Sequence, residues 1–336
     1  MNKSLLAIIQ YIFFIALGIL FVWLTIKDIQ REEWLQIENS LKNARHWLLI
    51  PVLLMLILSH YSRAIRWKIL MEPLQYKPST FNTLAAVMIG YLANTAVPRL
   101  GEVVKCSLLA KYEGLRADKL VGTIVIERII DLICLFVVFI LALIFQGNII
   151  GEYVLNAFGT FFRDKSGGFS PYKIVLLLFV LLTAGTVFIY LLKKFAHTNL
   201  VSKLNNVYHG ILNGLNTIRL IKHKTAFIFH TIFIWLMYLL STTAGIYALR
   251  ETEFLGIAGG ITALGVGSIA MIITPGGIGA YPLLIAKLME LYGLDFKTTG
   301  TALGWLLWSA QTIIILVCGV IFTILFTFFN KKKTAS

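Results

Sequence analysis

Three stretches of this sequence concentrate groups able to do chemistry. The first holds Asn94, Pro98, Arg99, Gly101, Glu102 and Lys105. An arginine three residues before a glutamate, beside proline and glycine, has two readings. Either the guanidinium grips an oxyanion as a bidentate fork that the carboxylate orients, or the two form a solvated ion pair in a turn. The second stretch is Glu127-Arg128-Ile129-Ile130-Asp131. Glu127 and Asp131 are four residues apart and share a helix face, and Arg128 is three residues before Asp131. This set either relays protons, holds Arg99, or closes a structural salt bridge within one helix. The third is Thr274-Pro275-Gly276-Gly277-Ile278-Gly279. Its backbone N–H groups, at the start of a helix, would cradle a phosphate or carboxylate; the plainer reading is a turn between two half-helices.

A fourth stretch, Arg63-Ala64-Ile65-Arg66-Trp67, ends an apolar run. Arg63 and Arg66 flank an interfacial tryptophan, so they serve as anchors at a basic membrane face or as grips for an anionic headgroup. Nothing here assembles a nucleophile, base and acid. Ser59 and His60 are adjacent and point apart on a helix, and the histidines form no HxxxH or HExxH pair. The three cysteines, Cys106, Cys134 and Cys318, are far apart and read as free thiols. No metal, cofactor or enzymatic activity is expected, and the absence of a Walker A motif argues against ATP hydrolysis.

The elements that position these groups lie in lipid. Of 336 residues, 58% are apolar and 14% charged, against ~45–50% and ~25% in a soluble domain. The mean hydropathy is +0.82. A soluble enzyme, a disordered chain and a nucleic-acid module are excluded. The formal charge of +14 fits basic cytoplasmic loops. A spanning helix needs ~20 apolar residues, and 5–26, 47–62, 120–145, 173–192, 225–249 and 300–329 qualify or nearly so. The run at 5–26 is too long for a signal-peptide core and reads as the first span. Segments 80–117 and 254–292 are apolar but broken, at Pro98 and Pro275 with their neighbouring glycines.

The basic stretches 63–77, 99–119, 193–224 and 331–333 all fall on one side only if each broken segment dips in and returns. The expected fold is therefore all-α and polytopic, a single transmembrane domain of six full spans and two re-entrant hairpins. Halves 1–146 and 147–336 form an inverted repeat, and both termini are cytoplasmic. Glycine- or proline-broken segments at matching places in two halves point to a transporter binding site. Loop 27–46, with Lys27, Arg31, Lys42 and Arg45, would lie outside and argues mildly against this topology. Trp34, Ile37, Leu41 and Ala44 suggest a short helix there. The spacing of Val201, Leu204, Tyr208, Ile211, Leu215 and Ile218 suggests another on the inner surface.

Taken in order, Arg63-x-x-Arg66-Trp67, Asn94 with Pro98-Arg99-x-Gly101-Glu102, Glu127-Arg128-x-x-Asp131 and Pro275-Gly276-Gly277-Ile278-Gly279 resemble the lysylphosphatidylglycerol synthase transmembrane-region family, from about residue 5 to 329. The resemblance implies the flippase-like membrane part without the fused aminoacyl transferase. It also implies inner-membrane localisation and movement of a phospholipid or lipid-linked precursor between leaflets. Two departures stand out. Ala280, Tyr281 and Pro282 occupy positions after the PGGxG turn where many relatives carry a glutamate, and Lys105 replaces a common arginine.

On this reading Arg99, Lys105 and Arg66 neutralise phosphate, and Glu127 and Asp131 hold those cations or carry protons. Anionic lipids are the expected partners, with a second copy or a lipid synthase as further candidates and nucleic acid excluded. The alternatives are a small-solute or proton-coupled transporter, and a non-transporting partner of a lipid-modifying synthase.

Overall fold

The computed structural model describes residues 3–97, 99–162 and 220–334. The expected span 173–192, the surface helix at 201–219, the basic residues 193–219 and Pro98 lie outside the described residues.

Among the described residues every regular element is helical. In chain order they are α1 (Lys3–Ile26), α2 (Arg31–Lys42), α3 (Leu49–Met71), α4 (Thr80–Ala96) and α5 (Leu100–Glu113). After these come α6 (Ala117–Phe162), α7 (Lys224–Ala248), α8 (Gly256–Ile273), α9 (Ala280–Leu291) and α10 (Thr301–Thr334). The expected spans at 5–26, 120–145, 225–249 and 300–329 correspond to α1, α6, α7 and α10. In α6 the helical backbone breaks at Gln146 (φ −127°, ψ 20°), where the apolar run ends. The helix expected from Trp34, Ile37, Leu41 and Ala44 is α2, bent 101° from α1.

The span expected at 47–62 is longer than its apolar run, because α3 continues to Met71 and carries Arg63, Arg66 and Trp67 inside. Arg63 and Arg66 are therefore not part of a basic loop. The helix can continue through them because carboxylates on α6 meet them, as described below.

Segment 80–117 is a helical hairpin. Its arms are bound at the base, where the Asn82 side chain donates to Glu113 (2.5 Å), and near the tip, where the Gly101 N–H donates to Asn94 Oδ1 (2.7 Å). The arms cross at Gly90 and Gly101, where a Cβ on Gly101 would collide with the Gly90 carbonyl and the Asn94 side chain. Segment 254–292 is a second hairpin, α8 and α9, turning at the 3₁₀ residues Pro275–Gly277. Gly276, Gly277 and Gly279 all have positive φ (59°, 70° and 70°), which side-chain-bearing residues adopt only with strain. Gly267 of α8 lies against the Tyr281 ring of α9, as its place in the Gly259, Ala263, Gly267 series suggests.

The hairpins start from opposite ends of the bundle. Near the base of the first are Glu72 with His223, Lys68 with Thr80, and Asn82 with Asn330. Lys77, Lys111, Arg116, Lys119, Lys222 and Lys224 belong to the same ends of their elements. Near the base of the second, charges are mixed: Arg45 pairs with Glu253 (2.6 Å) and Lys297 with Glu33 (3.4 Å). The two turns nevertheless meet, because Thr95 Cγ2 lies 3.4 Å from where a Cβ on Gly276 would sit. At ~1.5 Å per residue, the 17-residue α4 and 18-residue α8 are each roughly 26 Å long, most of a ~30 Å hydrocarbon core. The arms are thus longer than half-crossing re-entrant segments. Arg250–Ile273 alone is one of five described segments long and apolar enough to span, with the α1–α2 pair a sixth.

Candidate functional site

Charged side chains from three helices, with a tyrosine from a fourth, converge inside this frame. Arg63 and Arg66, one turn apart on α3, face Glu127 and Asp131, one turn apart on α6. Arg63 Nη1 donates to Glu127 Oε1 (2.9 Å) and to Asp131 Oδ2 (2.7 Å). Arg66 Nη2 donates to Asp131 Oδ1 (2.7 Å) and lies 3.5 Å from Glu127. From α5, Lys105 Nζ donates to Glu127 Oε2 (2.9 Å) and sits 4.5 Å from the centre of the Trp67 ring. On α7, Tyr238 Oη accepts from Arg63 Nη2 (3.3 Å).

Arg66 is fully buried and Glu127 nearly so. Isolated charges could not stay there, since each would lose its hydration without replacement. The helix period explains the match: residues three or four apart on α3 stack over residues four apart on α6. The sum is uneven, with three cations against two carboxylates. Among the described residues, buried N–H groups also remain without partners, at Arg63 Nε and at Arg66 Nε and Nη1.

Next to this cluster is a cavity of about 730 Å³. Arg63, Arg99, Arg128 and Asp131 supply its charged wall, with Asn94 and Thr95 from the first turn and Gly276 from the second. Arg99, exposed at the first turn, holds a left-handed backbone (φ 63°, ψ 0°). Among the described residues it has no ion-pair partner. A non-glycine residue in that region is strained by ~1–3 kcal/mol and persists where its surroundings fix it.

A profile of the lysylphosphatidylglycerol synthase TM region matches residues 9–319. The chain belongs to that family. Neither the curated proteins nor the solved structures provide a match. This member of the lysylphosphatidylglycerol synthase TM family is therefore a multi-pass membrane protein with a lipid-related setting.

Several expected roles change once the residues of this family member are placed. Arg63 and Arg66 are not exposed anchors at an entrance; they are buried ligands of two carboxylates. Glu127 and Asp131 hold Arg63, Arg66 and Lys105, not Arg99. No salt bridge forms between Arg128 and Asp131. Arg128 pairs instead with Glu102 of α5 (2.7 Å), so Glu102 does not orient Arg99. Lys105 is buried against Glu127 and does not line the cavity, so it is not a direct phosphate contact.

The glycine turn is no open cradle either. The N–H groups of Gly277, Ile278 and Ala280 bond to Thr274, Pro275 and Ile278 carbonyls within the turn, and Thr274 Oγ1 donates to the Ile278 carbonyl (3.0 Å). Pro275 and Gly277 are buried, and Gly279 packs on Gly18 of α1. Gly276 alone of the six lines the cavity, its carbonyl accepting from Trp308 Nε1 (2.9 Å).

Sequence reasoning missed the uncharged wall. His60, Tyr91, Trp235, Tyr238, Tyr281 and Gln311 all face the cavity. Their signal was weak but present: each is a polar or amphipathic side chain within an apolar run, a position that favours the bundle interior.

Proposed function

We propose that this protein moves an anionic lipid between the two leaflets of the membrane, its phosphate passing through the cavity between the two hairpin turns. One observation carries the reading. The cavity lies where the hairpins touch and, among the described residues, carries Arg63, Arg99 and Arg128 against the single carboxylate of Asp131. An anion there gains charge-assisted hydrogen bonds from planar guanidinium groups. The rim supports a lipid over a soluble solute: Leu132 and Ile272, both lining the cavity, are 64% and 72% exposed. Acyl chains can stay against such apolar surface while the headgroup occupies the polar interior.

In this reading Glu127 and Asp131 hold the cationic wall, and the chain performs no covalent step. The basic end of the bundle faces the cytoplasm, with both termini on that side of the inner membrane. Rocking of the hairpins about their contact alternates access to the cavity.

The test is a flip assay in vesicles of phosphatidylcholine containing fluorescent phosphatidylglycerol, with an impermeant quencher added outside. Purified protein should let most of the fluorophore be quenched, where protein-free vesicles protect the inner half. Arg99→Ala should slow the exchange about tenfold, the loss of roughly one charge-assisted contact. No acceleration by the native protein overturns the proposal.

A further inference from the structure

The uncharged wall of the cavity is built differently from its arginines, and we propose that it receives a ring bearing several hydroxyls, so that the lipid carried is a glycosyl or cyclitol phosphate. This inference rests on the phosphate reading above and specifies what the phosphate bears.

Size gives the first reason. At about 730 Å³ the cavity is within the ~300–1,000 Å³ of sites that enclose drug-sized ligands. A phosphate with a three-carbon glycerol would leave much of it unfilled.

The wall chemistry gives the second. An ammonium headgroup needs a carboxylate, yet among the described residues the cavity offers only Asp131, already held by Arg63 and Arg66 at 2.7 Å each. Three guanidinium groups would repel an amine. The remaining wall is neutral and hydrogen-bonding. Among the described residues, Trp235 Nε1 is buried without a partner, and so is Nδ1 of His60, itself only 8% exposed. Both residues line the cavity. Gln311 Nε2 donates to Tyr281 Oη (3.2 Å), which leaves the Gln311 carbonyl and the Tyr281 proton for a ligand. Hydroxyls both donate and accept, so a polyol satisfies this mixed set where an apolar or purely cationic group does not.

Aromatic placement gives the third. Tyr91 packs on His60 with ring centres 5.0 Å apart, and Trp235 meets Tyr238 edge to face at 6.2 Å. Rings held in place in this way suit packing against the C–H surface of a six-membered ring.

Flip rates in one vesicle system test the idea. The probes are acyl-labelled phosphatidylinositol, phosphatidylglycerol and phosphatidylethanolamine. Native protein should move the inositol lipid about tenfold faster than the glycerol lipid, the worth of one or two satisfied hydrogen bonds, and move the ethanolamine lipid slowest. Trp235→Phe and Gln311→Leu should each lower the inositol rate more than the glycerol rate, bringing the ratio toward one. Comparing two lipids in the same variant separates this effect from misfolding, which lowers both together. Equal rates for the inositol and glycerol lipids in native protein overturn the ring site and leave the anionic-lipid reading standing. Failure to move any of the three overturns both.

Discussion

Arg63 and Asp131 form the join between the structural and the ligand-facing parts of this protein. Their 2.7 Å contact ties α3 to α6, and both residues also line the cavity. Arg63 presents five N–H donors. Three are engaged, by Glu127, Asp131 and Tyr238, while Nε has no partner among the described residues. An anion arriving in the cavity can therefore use the same cation that holds the helices together.

The first prediction concerns Glu127. This carboxylate lies within 3.5 Å of Arg63, Arg66 and Lys105. Removing its charge leaves three buried cations facing Asp131 alone. Breaking a buried pair costs ~3–5 kcal/mol, so Glu127→Gln should lower the unfolding midpoint in detergent by many degrees. Glu102→Gln breaks the partly exposed pair with Arg128, and should cost ~1 kcal/mol or less. Equal midpoints for the two variants would refute the ranking.

Arg99 separates stability from function. Its left-handed backbone costs ~1–3 kcal/mol, which glycine relieves, offset by about 0.5–1 kcal/mol of glycine's greater unfolded-chain entropy. Arg99→Gly should hold or slightly raise the unfolding midpoint while slowing the flipping of phosphatidylglycerol. Arg99→Val should lower the midpoint, because a β-branched side chain is poorly suited to φ 63°. A midpoint that falls with glycine would mean the arginine side chain itself supports the turn.

Which of these features could be read from the chain follows from what each depends on. The spans rest on local composition, so α1, α6, α7 and α10 lie where their apolar runs do. The hairpins rest on proline and glycine breaks combined with the placement of basic residues, which also give their opposite origins. Pairing across helices is a different matter. Nothing local in Arg63-x-x-Arg66 distinguishes a membrane-surface anchor from a buried ion pair; the answer lies on α6, some sixty residues away. The same limit applies to Arg128, whose partner is Glu102 on α5 and not the nearer Asp131. Apolar periodicity ended the second span at 62, because a carboxylate on another helix can extend a buried face past the last apolar residue.

Gly101 should tolerate nothing larger. A methyl there would run into the Gly90 carbonyl and the Asn94 side chain, and Asn94 Oδ1 already holds the Gly101 N–H at 2.7 Å. Overpacking of this kind costs ~1–3 kcal/mol, so Gly101→Ala should spread the tip of the first hairpin. Gly114→Ala is the control: it also acts on α5 and has positive φ (68°), but a methyl there meets no atom within 4 Å. Both variants should lose stability, but only Gly101→Ala should also lose flip activity. Unchanged flipping in Gly101→Ala would show that the tip geometry is not needed for transport.

Cross-linking tests the contact between the two hairpins directly. A Cβ on Gly276 would lie 3.8 Å from Thr95 Cβ, within the ~3.5–4.5 Å that a disulfide spans. With Cys106, Cys134 and Cys318 replaced by serine or alanine, Thr95→Cys combined with Gly276→Cys should oxidise readily. The positive φ of Gly276 (59°) makes the cysteine there mildly strained, which favours reduction under gentle conditions. If the hairpins must part for the cavity to change sides, the oxidised protein should stop flipping and a reductant should restore it. Ready cross-linking with full activity would keep the contact and reject the rocking. Failure to cross-link, in a protein that otherwise folds and flips, would mean that the turns are not neighbours in the membrane.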